Sequence, residues 1–225
     1  MRIRIKFNKS DEMRYTGHLD LHRSWERTFR RAKLPLAYSQ GFHPQPRINL
    51  ASALPLGFTS TGEMVDIWLE NELPIYEIRS RLERAAPPGI KLQEVEQVGD
   101  QEPALQTLVV ASEYEIVLMG PDQQLDLRLQ ELLSKDNLPR ERRGKRYDLR
   151  PLVEELRRLP DDDQSHPRLF LRMTSRPGAT GRPEELLSAL DIQPESALIQ
   201  RTRIIFEEPS TAPGVAAALP PPAAG

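Results

Sequence analysis

Polar and apolar residues alternate over residues 2–7, which places Ile3, Ile5 and Phe7 on one side of a half-buried strand. The period then changes. Leu21, Trp25, Phe29 and Ala32 recur at helical spacing, while Arg23, Arg27, Arg30 and Arg31 fall on another face, so this stretch predicts an amphipathic helix. Thr16 is placed to cap it, Asp20 lies where the helix dipole favours an acid, and Pro35 ends the run. Residues 48–54 predict a strand stopped by Pro55 and Gly57. Residues 64–69 alternate as its antiparallel neighbour, with Thr59, Ser60, Thr61 and Gly62 supplying the turn. Ile75, Ile78, Leu82 and Ala85 mark a second helix, stopped by Pro87, Pro88 and Gly89, and residues 90–95 form a fourth strand.

The same order returns further on: strand 114–119, helix 124–133, strands 147–149 and 169–174, helix 183–190 and strand 199–206. Residues 152–159 add a turn or short helix. Strand, helix, strand, strand, helix, strand is the ferredoxin-like order, βαββαβ, an antiparallel sheet with both helices on one face. The expected fold class is therefore α+β, with two tandem ferredoxin-like halves at 1–98 and 108–208. A polar linker, 99–107, joins them and contains Pro103. Residues 209–225, rich in Pro and Ala, are expected to form a disordered tail.

Composition narrows the function classes. No stretch approaches the ~18 consecutive apolar residues of a membrane span, and the first residues resemble a strand rather than a signal peptide, so a cytoplasmic, membrane-free protein is expected. Cysteine is absent, which excludes disulfides, thiolate zinc sites, cysteine nucleophiles and a self-ligated iron-sulfur cluster of the usual type. His18 and His22 lie four apart with Asp20 between them, but no third ligand is near and no Glu adjoins the first His; no metal is expected. Nothing suggests a bound cofactor either. There is no phosphate loop, no dinucleotide fingerprint and no Gly-x-Ser-x-Gly elbow.

The net charge of -2 conceals an asymmetry, because residues 1–50 hold eleven Lys or Arg against four Asp or Glu, a local +7. A basic end on a near-neutral chain suits an anionic partner such as RNA, although Arg on helix faces also serves solubility. Between the basic helix and the second strand lies a loop stiffened by Gly41, Pro44 and Pro46. Its Tyr38, Phe42, His43 and Arg47, beside Arg14, Arg23, Arg27, Arg30 and Arg31, mix stackable rings with cations, as single-stranded RNA binding requires. Phe42 is equally able to plug the core. A second basic run holds Arg140, Arg142, Arg143, Lys145 and Arg146 around Gly144, of which Arg143, Lys145 and Arg146 join the RNA-binding set; Arg172, Arg176, Arg182, Arg201 and Arg203 are candidates to extend that surface. No DNA-specific signal is present. Catalysis is not expected, but an alternative uses His18 with Tyr15 or Tyr38, and His43 nearby, in metal-free cleavage of RNA by the neighbouring hydroxyl.

Residues 17–21 (Gly-His-Leu-Asp-Leu), 25–31 (Trp-Glu-Arg-Thr-Phe-Arg-Arg), 34–48 and 53–57 (Ala-Leu-Pro-Leu-Gly) together resemble the uncharacterised radical SAM-linked protein family. The likeness continues more loosely through residues 145–151, 182–186 and 201–203. In that family the domain occurs free or fused behind a cobalamin-binding radical SAM enzyme. The resemblance implies a radical SAM enzyme as partner, in RNA modification, with this chain as accessory or substrate-recognition part, since the three cluster cysteines are missing. A third reading makes the chain a protein-interaction scaffold for that enzyme. The tandem order also resembles the CRISPR repeat-processing endoribonucleases at fold level only.

Overall fold

A computed structural model describes residues 1–207. The expectation for 209–225 lies outside them. The described chain is a mixed α+β structure in which all strand pairs but one are antiparallel. Strand β1 (Arg2–Lys9) buries Ile3, Ile5 and Phe7 on one face and leads into helix α1 (His18–Arg31). Gly17, not Thr16, is the N-cap residue, and it makes no side-chain cap bond. Leu21, Trp25 and Phe29 of α1 pack on that face, where the Trp25 ring meets Phe7 edge-on at 4.7 Å and stacks on Phe29 at 5.0 Å. Burying each such ring contributes roughly 2–3 kcal/mol. Strand β2 (Ile48–Leu50) is shorter than expected, β3 (Thr59–Trp68) is longer, helix α2 (Ile75–Ala85) adds Ile78 and Leu82 to the same core, and β4 (Ile90–Val98) closes the half. The order across this half is β4-β1-β3-β2.

The linker is not free chain. Arg2 donates to the carbonyls of Glu102 (2.6 Å) and Pro103 (2.9 Å) while pairing with Asp66 (2.5 Å), which docks the linker on the helix-free face, and it ends in a short helix, α3 (Leu105–Leu108). Then follow β5 (Val109–Leu118), helix α4 (Leu125–Ser134), a separate hairpin of β6 (Pro139–Arg142) and β7 (Lys145–Asp148), β8 (Val153–Leu159), β9 (Arg168–Arg176), the two-residue β10 (Ala179–Thr180), helix α5 (Pro183–Ala189) and β11 (Ala197–Phe206). Here the order is β8-β9-β5-β11.

Two expectations are corrected. Of residues 147–149, Tyr147 and Asp148 belong to the hairpin, off the main sheet, and the strand beside β9 is β8, where a turn or helix was expected. A bulge between Val153 and Glu155 places the buried Val153 and Leu156 three residues apart, a spacing that imitates a helix. Residues 59–62 are not a turn either. They open β3 and pair in parallel with β11, Thr59 against Gln200 and Ser60 against Arg201, so both halves share one nine-stranded sheet. Gly62 permits this approach, because a Cβ there would lie 2.6 Å from the Thr202 carbonyl oxygen. Glu63 lies opposite Phe7 and pairs with Arg201, two residues from the core Ile199; both helix pairs therefore cover the same face.

Candidate nucleic-acid interface

The periodicity that buries Leu21, Trp25, Thr28 and Phe29 turns the arginines of α1 outward. Arg30 pairs with Glu26 (2.9 Å) and Arg23 loosely with Asp20 (3.4 Å), whereas Arg27 and Arg31 have no carboxylate within ion-pair distance among the described residues. At the helix end Lys33 takes the left-handed conformation (φ 54°), and its carbonyl accepts from Arg81 of α2. A cavity of about 380 Å³ lies between Arg31, Lys33, Arg81 and Arg84, and one of about 490 Å³ between Ser24, Arg27, Arg30, Arg31 and Pro87. Arg31 borders both. The outer helical layer of the first half thus carries a cationic strip, in which Arg30 and Arg81 are paired with Glu26 and Glu77.

Tyr38–Pro46 folds into a small hairpin closed by a bridge between those two residues and by a Ser39 N–H donating to the Gln45 carbonyl at 2.8 Å. Gly41 (φ 132°) makes the bend, and Phe42 at its tip is fully exposed rather than a core plug, with His43 exposed beside it. Arg30 lies over the Tyr38 ring at 5.9 Å, which joins this hairpin to the cationic strip. The candidates differ in exposure. Arg47 is exposed, its guanidinium over the Trp68 ring at 4.5 Å, whereas Arg14 is largely covered and paired with Asp11.

The structure separates His18 from Tyr38. Tyr38 sits by Arg30 at one end of α1 and His18 opens the other, roughly 18 Å away along the axis. His18 is half-buried and its Nδ1 has no partner. Burial first, then the neighbouring His22 and Arg201, hold its pKa below the ordinary value against the opposing pull of Glu63, so it is neutral at pH 7. Among the described residues no three or more His, Asp or Glu side chains converge as metal ligands, and no helix is long and apolar enough to cross a membrane.

What the sequence did not disclose is the polar seam under the β3–β11 pairing. Arg201 is fully buried, not part of a surface; its two nitrogens meet Glu63 at 2.8 and 2.6 Å, and it also donates to the Ala53 carbonyl at 3.1 Å. Lys9 is buried nearby and donates to the carbonyls of Phe58 (2.8 Å) and Arg14 (3.1 Å). Burial lowers its pKa to about 8, with Glu63 opposing and Arg201 reinforcing the shift. The signal that was present is Lys9 continuing the inward alternation of Ile3, Ile5 and Phe7.

In the second half the β6–β7 hairpin turns on Arg143 and Gly144, both at positive φ (50° and 75°), as a two-residue type I′ turn needs. Arg146 is exposed and faces Glu141 at 3.6 Å. Arg142, Arg143 and Lys145 instead border a cavity of about 540 Å³ with Tyr147, Thr180 and Arg182. Thr180 and Arg182 also wall a cleft of about 410 Å³ that reaches Arg176 and Arg201 at the seam. Residues 2–183 match a family described as "Uncharacterized protein conserved in bacteria (DUF2344)". No curated protein matches the chain.

Proposed function

We propose that this chain, which belongs to the bacterial family of uncharacterised conserved proteins DUF2344, is a non-catalytic, cytoplasmic RNA-binding module that works beside a radical SAM enzyme in RNA modification. Two ferredoxin-like halves form its frame, a reading supported by the matching orders β4-β1-β3-β2 and β11-β5-β9-β8. The observation that carries the RNA reading is the row of uncompensated guanidinium groups Arg27, Arg31 and Arg84, continuous with an exposed aromatic hairpin. Cations neutralise phosphates and a ring such as Phe42 stacks on a base, the two parts of single-strand binding. The radical SAM partner rests on sequence resemblance.

Fluorescence polarisation against tRNA and single-stranded rRNA fragments tests the reading. Arg27→Glu with Arg31→Glu is expected to weaken binding at least about tenfold and to flatten the dependence of log K on log salt by roughly 1.4, about 0.7 for each lost phosphate contact. Affinity indifferent to salt or to this charge reversal would refute it. The scaffold reading keeps one observation in its favour, the full exposure of Phe42 together with Tyr15 and Leu56. Co-purification with a radical SAM enzyme that survives nuclease treatment and is lost in Phe42→Ala would favour that one.

A further inference from the structure

The cavity under the β6–β7 hairpin differs in kind from the strip on α1. Arg142, Arg143 and Lys145 from the hairpin and Arg182 from the segment before α5 border one open cavity of about 540 Å³. None of the four has a carboxylate within ion-pair distance among the described residues. The acid in the wall, Asp148, is tied down by the N–H groups of Leu138 (2.7 Å) and Arg150 (2.9 Å). Cations set along a groove suit the single charges of phosphodiesters. Cations that converge on one volume suit a compact group carrying more than one charge, and Arg forks match its oxygens. A half-buried ring, Tyr147, and a hydroxyl, Thr180, complete the wall. Burial raises the Tyr147 pKa, so the phenol stays protonated and able to donate.

Arg143 adds an independent pointer. It occupies the first central position of a type I′ turn at φ 50°, where Asn or Gly sits without strain. Lys33, Ser165 and Asp191 take the same conformation, and what sets Arg143 apart is its place at the mouth of a cationic cavity.

We infer that this cavity binds the phosphomonoester of a nucleotide, with Arg142, Arg143, Lys145 and Arg182 on the phosphate oxygens and Tyr147 against the base. The phosphomonoester belongs either to a free mononucleotide or to the end of an RNA strand; only the second source rests on the RNA reading above.

The test compares one short single-stranded RNA with a 5′-phosphate and with a 5′-hydroxyl, and adenosine 5′-monophosphate with adenosine. The phosphorylated member of at least one pair is expected to bind about tenfold more tightly, as additional charge-assisted hydrogen bonds imply. Arg182→Ala and Arg143→Asn should each erase the preference, and Arg143→Asn should melt no lower than the parent, which separates binding from folding. Arg27→Glu with Arg31→Glu should leave the ratio unchanged while weakening both strands. Saturable, Arg182-dependent binding of the monophosphate with no RNA bound in either form upholds the site and removes the RNA reading. Salt-sensitive RNA binding with equal affinity for both strands and no monophosphate binding overturns the site and leaves the RNA reading standing.

Discussion

The two halves of the sheet insert a hairpin at the same point, between the first helix and the second strand, and make it from opposite chemistry. In the first half, between α1 and β2, the tip is Gly41, Phe42 and His43, an exposed ring over a hairpin held by the main chain. In the second, between α4 and β8, the tip is Arg142, Arg143, Gly144 and Lys145, all charge and no ring. Similar strand orders thus carry two hairpins of different chemistry, an exposed aromatic tip in one and a cationic tip in the other.

The two halves are joined at the β3–β11 seam, over the buried Glu63–Arg201 pair. Arg201→Ala leaves the Glu63 carboxylate buried without its partner, so denaturant unfolding is expected to show a loss of about 3–5 kcal/mol. Arg201→Met with Glu63→Met should lose much less, because no buried charge remains. If the single change cost no more than ~1 kcal/mol, the two halves would not depend on the pair. A step down, Phe42→Ala is expected to weaken RNA binding by about 1–3 kcal/mol with the salt slope unchanged, since a stacking contact releases no counterions. A shifted slope would assign the first hairpin to charge as well and erase the contrast with the second.

Lys9 gives the comparison a dependence on pH. Its folded pKa, about 8, lies below the ordinary lysine value of 10.5. Below pH 8 both folded and unfolded chains carry the ammonium and the cost of burying it is present in full. Between about pH 8 and 10.5 the unfolded chain binds more protons, so stability rises with pH, and above that window the cost is gone. Relative to Lys9→Met, the parent chain should gain on the order of 1 kcal/mol between pH 7 and 9.5 in urea unfolding. A constant difference across that range would mean that Lys9 titrates normally.

Residues that act through local spacing were legible in the sequence, and those that act across it were not. Ile3, Ile5 and Phe7 announce β1 by alternation, and Leu21, Trp25 and Phe29 announce α1 by their period, so the strip of Arg27 and Arg31 could be read at once. β8 was hidden because its bulge gives Val153 and Leu156 a helical interval. Residues 59–62 look like a turn because Thr, Ser and Gly are turn-formers, and only the arrival of β11, 141 residues later at Ser60 and Arg201, makes them strand. The Glu63–Arg201 pair has the same origin. Arg201 in isolation looks like one more surface cation, and its partner lies 138 residues away. The basic hairpin was visible as a run of charge, but its convergence with Arg182 on one cavity depends on β10 and the start of α5 being folded against it.

The smallest expected effect isolates the second hairpin from everything else. Asn adopts the left-handed conformation more readily than Arg, so Arg143→Asn is expected to stabilise the protein by about 0.5–1 kcal/mol in denaturant unfolding. Phe42→Ala, at an exposed tip whose bend is supplied by Gly41, should change stability by less than about 0.5 kcal/mol. If Arg143→Asn were instead destabilising by as much as 1 kcal/mol, the arginine would be holding the β6–β7 turn together rather than waiting for an anion, and the chemical difference between the hairpins would have a structural cause.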